Sequence, residues 1–202
     1  MEHGKLFVLS GPSGAGKGSI CKKLIKKDCV DLSVSMTTRA PRNAEEEGKS
    51  YFFVTEDEFQ STIDVHGFME YAKIYDHYYG TPKKYVMDKL AQGKDVILEI
   101  EMQGAFQIKN AYPNCTLIFI LPPSLAELRK RLIERGTEDE EEIRIRQQAT
   151  LNEIDLIHDY DYYIINDDLE EAVKKVEHII SAEHSKVTEA IRILVQRYEE
   201  EI

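Results

Sequence analysis

A glycine-rich segment that ends in lysine carries the strongest chemical signal in the chain. Residues 11–17 read GPSGAGK and fit the phosphate-loop pattern G-x-x-x-x-G-K. Glycines let successive backbone N–H groups point inward around a polyphosphate, and the start of a following helix adds a positive dipole. Lys17 would reach the transferred phosphate and offset its charge. The segment predicts an ATP-type site formed by Gly11, Pro12, Ser13, Gly14, Ala15, Gly16, Lys17, Gly18 and Ser19.

The residue after this lysine departs from the usual pattern. Gly18 stands where a serine or threonine normally supplies a hydroxyl to magnesium, and Ser19 follows one position later. Because Mg²⁺ tends to keep several waters, we expect it to be held mainly by phosphates and water. The sequence also lacks the N-K-x-D signature of guanine-binding GTPases. These features favour a kinase that acts on a small acceptor.

A second cluster of charged and hydroxyl side chains suits an acceptor phosphate. Arg39 and Arg42 lie three residues apart beside the hydroxyls of residues 35–38, and arginines in such pairs bind phosphate through two parallel hydrogen bonds. Segments rich in tyrosine and glycine follow at 48–54, 68–72 and 78–81. Taken singly, these segments leave two interpretations open, since the arginines also fit surface charge and the tyrosines also fit core packing.

Apolar runs between these motifs predict a mostly parallel β-sheet. The strand-like runs are Lys5–Ser10, Val96–Glu101, Thr116–Leu121 and Tyr162–Ile165. Helical spacing of apolar residues is found at Ser19–Lys27, Pro82–Gln92, Ser124–Glu134, Glu140–His158 and from Leu169 onward. Strands that alternate with helices imply an α/β fold with helices on both faces of the sheet. The phosphate loop then joins the first strand to the first helix.

Two segments interrupt this alternation. Residues 33–83 are rich in Thr, Tyr, Phe and Gly and predict an inserted α+β module with short strands such as Tyr51–Thr55. Residues 135–146 are highly charged, and their acidic run at 138–142 is interpreted as a solvated helix start that suits the helix dipole. The tail predicts one or two amphipathic helices, which either pack on the core or form a surface for self-association.

In this order, the motifs resemble the guanylate kinase family. The resemblance covers about residues 4–184 and continues through LEIEMQG (98–104), PPS (122–124), KRLIERGTE (130–138), RIRQQ (144–148) and INDDL (165–169). It implies the fold of a P-loop nucleoside monophosphate kinase, in which helices flank a parallel-sheet core. The implied parts are a core at 1–32, 84–123 and 157–184, a GMP-binding α+β module at 33–83 and a helical lid at 124–156. An extra helical tail at 185–202 follows.

The resemblance implies two groups of GMP-binding residues. The acceptor phosphate would be bound by Arg39, Arg42, Tyr51 and Tyr79. The guanine would be read by Ser35, Glu70, Thr81 and Glu101. Guanine offers the donors N1–H and N2–H₂, and one carboxylate accepts both, whereas adenine lacks N1–H and leaves buried acceptors unpaired.

Further residues are implied on the donor side. The lid arginines Arg131, Arg135 and Arg146 would close on the phosphates, and Asn166 and Asp167 would lie near the adenine, mainly through their backbone. Catalysis would rest on Lys17, Arg39, Arg135 and Arg146 together with Mg²⁺. The family usually has aspartates at the positions of Glu99 and Glu101. Glu99 therefore has two interpretations, as the holder of a magnesium-bound water or as a structural partner of an arginine.

The implied reaction is direct, in-line, Mg²⁺-dependent transfer of the γ-phosphate of ATP to GMP, and to dGMP, in purine metabolism and GMP recycling. Two alternatives remain: a noncatalytic interaction module of the same family, and a kinase for another nucleoside monophosphate. A module of the first kind tends to lose phosphate-loop residues, which are present here. A substrate panel would separate the second.

Composition limits the partners. The chain has 202 residues with a net charge of −11, which argues against nonspecific binding to nucleic acid. The first 49 residues carry nine basic and six acidic side chains, a net of +3, which suits a small anionic ligand.

No apolar run reaches the roughly 20 residues of a membrane span, and no secretory signal pattern is visible. The odd number of cysteines, three, suits reduced thiols. We expect a cytoplasmic monomer or homodimer that binds neither nucleic acid nor membranes.

Overall fold

A computed structural model of the chain describes residues 3–42, 45–74, 76–135, 140–187 and 190–201. Within these ranges the strands are β1 Leu6–Ser10, β2 Asp31–Leu32, β3 Met36–Thr37, β4 Phe52–Phe53, β5 Phe68–Ile74, β6 His77–Pro82, β7 Val96–Glu99, β8 Thr116–Leu121 and β9 Tyr162–Ile165. The helices are α1 Lys17–Lys26, α2 Glu56–Asp64, α3 Lys83–Ala91, α4 Met102–Ala111, α5 Leu125–Arg135, α6 Glu140–Ile154, α7 Leu169–His184 and α8 Ala190–Glu200. A 3₁₀ turn, Asp155–Asp159, follows α6.

The core is a parallel five-stranded sheet in the order β2-β7-β1-β8-β9. Its central strand, β1, is buried along its whole length because successive side chains point to opposite, covered faces. Phe7 and Leu9 pack with residues of α1 and α7. Leu6 and Val8 pack with residues of α3 and α4. Helices therefore cover both faces, as the α/β pattern predicts.

A second, four-stranded sheet has the order β4-β3-β6-β5. Strands β5 and β6 pair antiparallel and place Glu70 opposite Thr81. Helix α2 packs against this pair through Phe59, whose ring stacks on Phe68 at a centroid distance of 4.4 Å and on Tyr78 at 5.4 Å. The aromatic contacts fix the sheet that carries the candidate acceptor residues.

The predicted α/β fold class is confirmed, with differences in single elements. The run Val96–Glu101 ends as a strand at Glu99, because Glu101 already caps α4. Helix α4 was not predicted, since Gly104 interrupts its helical pattern, and β2 is too short to stand out. The segment predicted as one helix from Glu140 changes to a 3₁₀ turn after Ile154. Residues 136–139, including the first part of the acidic run, lie outside the described ranges.

The tail forms two helices, α7 and α8. Helix α7 packs on the core through residues such as Val173 and Val176. Helix α8 leaves apolar side chains partly exposed at helical spacing: Ile191, Leu194, Val195 and Tyr198. Self-association through this face stays a prediction. Among the helices in the described ranges, none is both long and apolar enough to cross a bilayer.

The start of α2 gives a stability prediction. The Thr55 hydroxyl accepts a hydrogen bond from the Glu58 N–H at 3.2 Å, and the Glu58 carboxylate accepts one from the Thr55 N–H at 2.8 Å. Because this reciprocal cap satisfies two otherwise unpaired donors, Thr55→Ala should lower the free energy of unfolding by about 1 kcal/mol. Thr55→Ser keeps the hydroxyl and is the matched control in urea titrations. Equal stability of the Ala and Ser variants would contradict the role of the cap.

Candidate active site

A cleft of about 810 Å³ lies where the carboxyl ends of the core strands face the second sheet. Open α/β sheets bind ligands at this edge, because loops that follow parallel strands converge there. Most of the residues predicted for the site line this one cleft: Pro12, Ser13, Gly14, Gly16, Lys17, Gly18, Ser19, Ser35, Arg39, Arg42, Tyr51, Glu70, Tyr79, Glu99, Glu101 and Arg131. The predicted donor and acceptor residues therefore meet in a single space.

The phosphate loop has the backbone that its glycines permit. Gly11, Gly14 and Gly16 have φ angles of 136°, 87° and 94°, a region that side chains strongly disfavour. Gly16 caps α1, so the helix begins at Lys17. The ammonium of Lys17, only 8% exposed, donates to the carbonyl oxygens of Gly11 at 2.5 Å and Pro12 at 3.3 Å. The loop thus holds one buried cation beside the amino end of α1.

Asn166, which follows β9, stabilises the phosphate loop through a hydrogen bond on the side away from the cleft. Its side-chain Nδ2 donates to the carbonyl of Ala15 at 2.8 Å, and its backbone N–H donates to the carbonyl of Leu121 at 2.8 Å. Its own carbonyl accepts a hydrogen bond from Arg131 Nη2 at 3.1 Å. The side chain is buried and does not line the cleft, whereas Asp167 is exposed. The sequence predicts that Asn166 contacts adenine mainly through its backbone, and it does not reveal this side-chain role, because the role depends on the meeting of β9 with the loop.

Arg39 is held in place by Glu45 and Tyr79. Its guanidinium donates to both oxygens of Glu45, at 3.0 and 2.9 Å, and its Nε donates to the Tyr79 hydroxyl at 3.1 Å. The Glu45 carboxylate also accepts the backbone N–H of Arg42 at 2.7 Å. Burial alone would raise the pKa of Glu45, but these hydrogen bonds outweigh burial and lower it. Glu45 was not predicted, although an acid three residues after Arg42 is a visible signal.

Tyr51 and Tyr79 lie beside each other and beside Arg39. Their ring centroids are 5.9 Å apart, and the Arg39 guanidinium carbon lies 5.6 Å from the centroid of the Tyr51 ring. Burial, with a smaller contribution from the negative charge of Glu99, raises the pKa of Tyr51 to about 12. Tyr51 therefore stays a neutral phenol at neutral pH, and its hydroxyl is able to donate to an anion.

Glu70 is a buried carboxylate with one hydroxyl partner. It is 6% exposed, and its Oε1 accepts a hydrogen bond at 2.6 Å from the fully buried Thr81. Burial raises the pKa of Glu70 to about 7, and the hydrogen bonds from Thr81 offset this only partly. Thr81 itself stands behind Glu70 and does not line the cleft, whereas Ser35 does. A carboxylate in this setting binds firmly to a ligand that supplies N–H donors.

The Glu99 carboxylate lies next to Gly18, the residue that departs from the usual phosphate-loop pattern. A Cβ atom built on Gly18 would lie 3.2 and 3.4 Å from the two carboxylate oxygens of Glu99. The same carboxylate acts on Cys21, whose pKa is raised well above its usual value by burial first and by Glu99 second. Within the described ranges, no group of three or more His, Cys, Asp or Glu side chains is arranged to hold a metal ion. Glu99 is the carboxylate that would lie beside a Mg²⁺ ion held mainly by phosphates and water, and this placement of the ion stays a prediction.

Helix α5 contributes Arg131 to the cleft. Its Nε also donates to Glu127 at 3.0 Å, one turn earlier in α5. Arg135 and Arg146 lie in helices α5 and α6, but their side chains fall outside the described part of the chain, so their roles stay predictions. Five polar residues that were not predicted also line the cleft: Lys22, Ser33, Glu45, Ser50 and Glu134. Of these, Lys22 carries a signal in the sequence as a cation five residues after Lys17 on the first helix.

Comparison with known proteins identifies the family. Residues 3–183 match the family described as guanylate kinase. The chain belongs to the guanylate kinase family. A guanylate kinase of Clostridioides difficile (strain 630) is 50% identical over 203 residues, covering 100% of this chain and 99% of that protein. A guanylate kinase of Caldanaerobacter subterraneus subsp. tengcongensis is 52% identical over 187 residues, covering 92% of this chain and 91% of that protein.

A solved structure agrees with this assignment. The crystal structure of guanylate kinase from Anaplasma phagocytophilum superimposes with a TM-score of 0.77 at 34% identity, over 92% of this chain and 89% of that chain. Membership of the guanylate kinase family makes the chain an enzyme of the kinase class. It confirms the resemblance stated from the motifs and the predicted fold of a P-loop nucleoside monophosphate kinase.

The contact between Asn166 and the phosphate loop gives a kinetic prediction. Asn166→Ala removes the hydrogen bond to Ala15, so the KM for ATP should rise about three- to tenfold, the value of one hydrogen bond, while the KM of the acceptor stays constant. Asn166→Asp keeps the shape of the side chain but lacks the N–H donor, so the KM for ATP should rise at least as much. A normal KM for ATP in the Asp variant would contradict this role.

The raised pKa of Glu70 gives a prediction for stability. A folded pKa of about 7, above the ordinary value of 4.5, means that the folded protein binds this proton more tightly than the unfolded chain. The contribution of Glu70 to the free energy of unfolding should therefore fall between about pH 4.5 and pH 7. Glu70→Gln removes this loss, so its stability relative to the original protein should rise by about 3 kcal/mol across that window.

Urea titrations at a series of pH values test this expectation. The same substitution at the exposed Glu56 corrects for the removal of one negative charge. A difference between the Glu70→Gln variant and the original protein that stays constant from pH 4.5 to pH 8 would show that Glu70 ionises as freely as in the unfolded chain.

Proposed function

We propose that the enzyme transfers the γ-phosphate of ATP to GMP, and also to dGMP, giving ADP and GDP or dGDP. The observation that carries the proposal is the position of Glu70, a buried carboxylate in the same cleft as the phosphate loop. Guanine supplies two neighbouring N–H donors to such a carboxylate, whereas adenine leaves it short of a partner. The family assignment supports ATP-dependent phosphorylation of GMP.

The residues fall into donor and acceptor roles under this proposal. Lys17 and the loop from Gly11 to Ser19 bind the donor phosphates, and Arg131, Arg135 and Arg146 add positive charge from the lid. Arg39, Arg42, Tyr51 and Tyr79 bind the acceptor phosphate. Ser35, Glu70 and Glu101 read the base, and Thr81 acts through its hydrogen bond to Glu70. The core, the acceptor module at 33–83 and the lid at 124–156 are the parts that we assign to these roles.

The transfer needs positioning more than acid–base chemistry. An oxygen of the GMP phosphate attacks the γ-phosphorus of ATP, and the bond between that phosphorus and the β–γ bridging oxygen breaks as ADP leaves. The attacking oxygen is already negatively charged, so it needs no strong general base. Lys17 and Arg39 offset charge on the transferred group, and closure of the lid excludes water. Mg²⁺, when bound, neutralises phosphate charge, and Glu99 would hold its water ligands.

Two further parts of the proposal concern the setting of the enzyme. We propose that it returns GMP to the purine nucleotide pool and that it works in the cytoplasm. The three cysteines are free thiols, which suits a reducing compartment. A monomer and a homodimer both remain compatible with these roles.

A coupled assay of ADP release tests the proposal. With ATP and Mg²⁺, turnover should be confined to GMP and dGMP in a panel that also contains AMP, UMP and CMP. Lys17→Ala should lower kcat by about 100-fold or more, because it removes a positive group aimed at the developing charge. Lys26→Ala changes an exposed lysine on the same helix and should leave kcat unchanged. Turnover with another nucleotide would overturn the base assignment, and near-normal kcat in Lys17→Ala would overturn the phosphate site.

A further inference from the structure

Helix α4 contains a glycine that its backbone conformation does not require. Gly104 is the third residue of α4, buried, and on the wall of the cleft. It is not among the glycines with positive φ, so an ordinary residue is able to adopt its conformation. Glycine costs about 1 kcal/mol relative to alanine at such a position. The chain therefore keeps a glycine here against helix propensity.

The reason is the space next to Glu70. A Cβ atom built on Gly104 would lie 2.6 Å from Oε2 of Glu70 and 3.1 Å from its carboxyl carbon. Both distances are shorter than ordinary van der Waals contact, which is about 3.5–4.0 Å between carbon atoms. A methyl group at residue 104 would therefore displace the carboxylate, unless the helix moved away.

Neither the carboxylate nor the helix is free to yield. The other oxygen of Glu70 accepts the hydrogen bond of 2.6 Å from Thr81, so rotation of the carboxylate would break a buried contact. Helix α4 is tied to strand β5 one turn later. The side chain of Gln107 accepts from the Tyr71 N–H at 3.3 Å and donates to the Tyr71 carbonyl at 3.0 Å. These two bonds fix the distance between the helix that carries Gly104 and the strand that carries Glu70.

We infer that Gly104 is a specificity-determining residue. Because residue 104 has no side chain, the Glu70 carboxylate lies where its two oxygens accept hydrogen bonds from the two N–H donors of guanine. This inference rests on the proposed function. Gly104 acts through Glu70 and is a positioning residue in this respect. The 2-amino group and N1–H of guanine need two acceptor oxygens in one plane. A displaced carboxylate loses one of these charged hydrogen bonds.

The test is Gly104→Ala in steady-state assays with GMP and with IMP, which lacks the 2-amino group. The KM for GMP should rise about 10- to 100-fold, the value of one charged hydrogen bond, and the preference for GMP over IMP should shrink by a similar factor. The KM for ATP and the kcat at saturating GMP should stay within about threefold, since the phosphate loop is untouched. Gln103→Ala, an exposed neighbour on the same helix, should leave every constant unchanged.

A second variant distinguishes the steric contact from general damage to the helix. Glu70→Asp shortens the side chain by one methylene group and makes room for the methyl of Gly104→Ala. The double variant Gly104→Ala/Glu70→Asp should therefore be no weaker for GMP than Glu70→Asp alone. If the two fold-changes multiply instead, or if Gly104→Ala keeps the original KM and preference, the inference is overturned. If Gly104→Ala does not fold, the double variant must restore folding, and failure to do so overturns it as well.

The same variants separate this inference from the proposed function. Thermal unfolding of the nucleotide-free proteins should also show coupling between residues 70 and 104, with the double variant more stable than the sum of the single changes predicts. Coupling in stability without any GMP turnover by the original protein would reject the proposed function and keep the contact. Turnover with GMP but no coupling in either measurement would keep the function and reject the role of Gly104.

Discussion

The burial of β1 between two parallel neighbours is the constraint on which the site depends. Its side chains fill both faces of the core, so the strand cannot slip without exposing them to water. Because β1, β7 and β9 run in the same direction, their carboxyl ends share one edge. The phosphate loop follows the first, Glu99 ends the second, and Asn166 follows the third. Apolar packing well away from the cleft thus determines where its polar groups meet.

The cleft combines cations with carboxylates, although the chain as a whole is acidic. Three of these charged groups have a fixed neighbour. Glu45 orients Arg39, the Thr81 hydroxyl binds Glu70, and the loop carbonyls hold Lys17. Charges that are already oriented need little rearrangement when a phosphate arrives, and this preorganisation is the main electrostatic advantage of an enzyme over water. Carboxylates in the cleft therefore organise the site and do not simply repel an anionic substrate.

The sequence predicts the parts of the site that depend on local pattern. The phosphate loop, its flanking strand and helix, and the clusters around Arg39 and Glu70 all follow from residue types at short spacing, and the structure brings them into one cleft. Features that depend on distant contacts were missed. Helix α4 contains Gly104, which leaves space for Glu70 on strand β5. The Asn166 side chain donates a hydrogen bond to Ala15, which lies 151 residues earlier in the chain. The side chains of Arg135 and Arg146 lie outside the described part of the chain, so their placement rests on the family resemblance alone.

Cys21 shows a further effect of how tightly α1 packs below the phosphate loop. Its sulfur lies one helical turn from Lys17, yet the side chain is 1% exposed and its pKa is raised well above the usual value. Oxidants and alkylating reagents attack the thiolate, which this burial suppresses at neutral pH. A cysteine that packs beneath the phosphate loop should therefore resist peroxide, unlike an exposed thiol whose pKa a nearby lysine lowers.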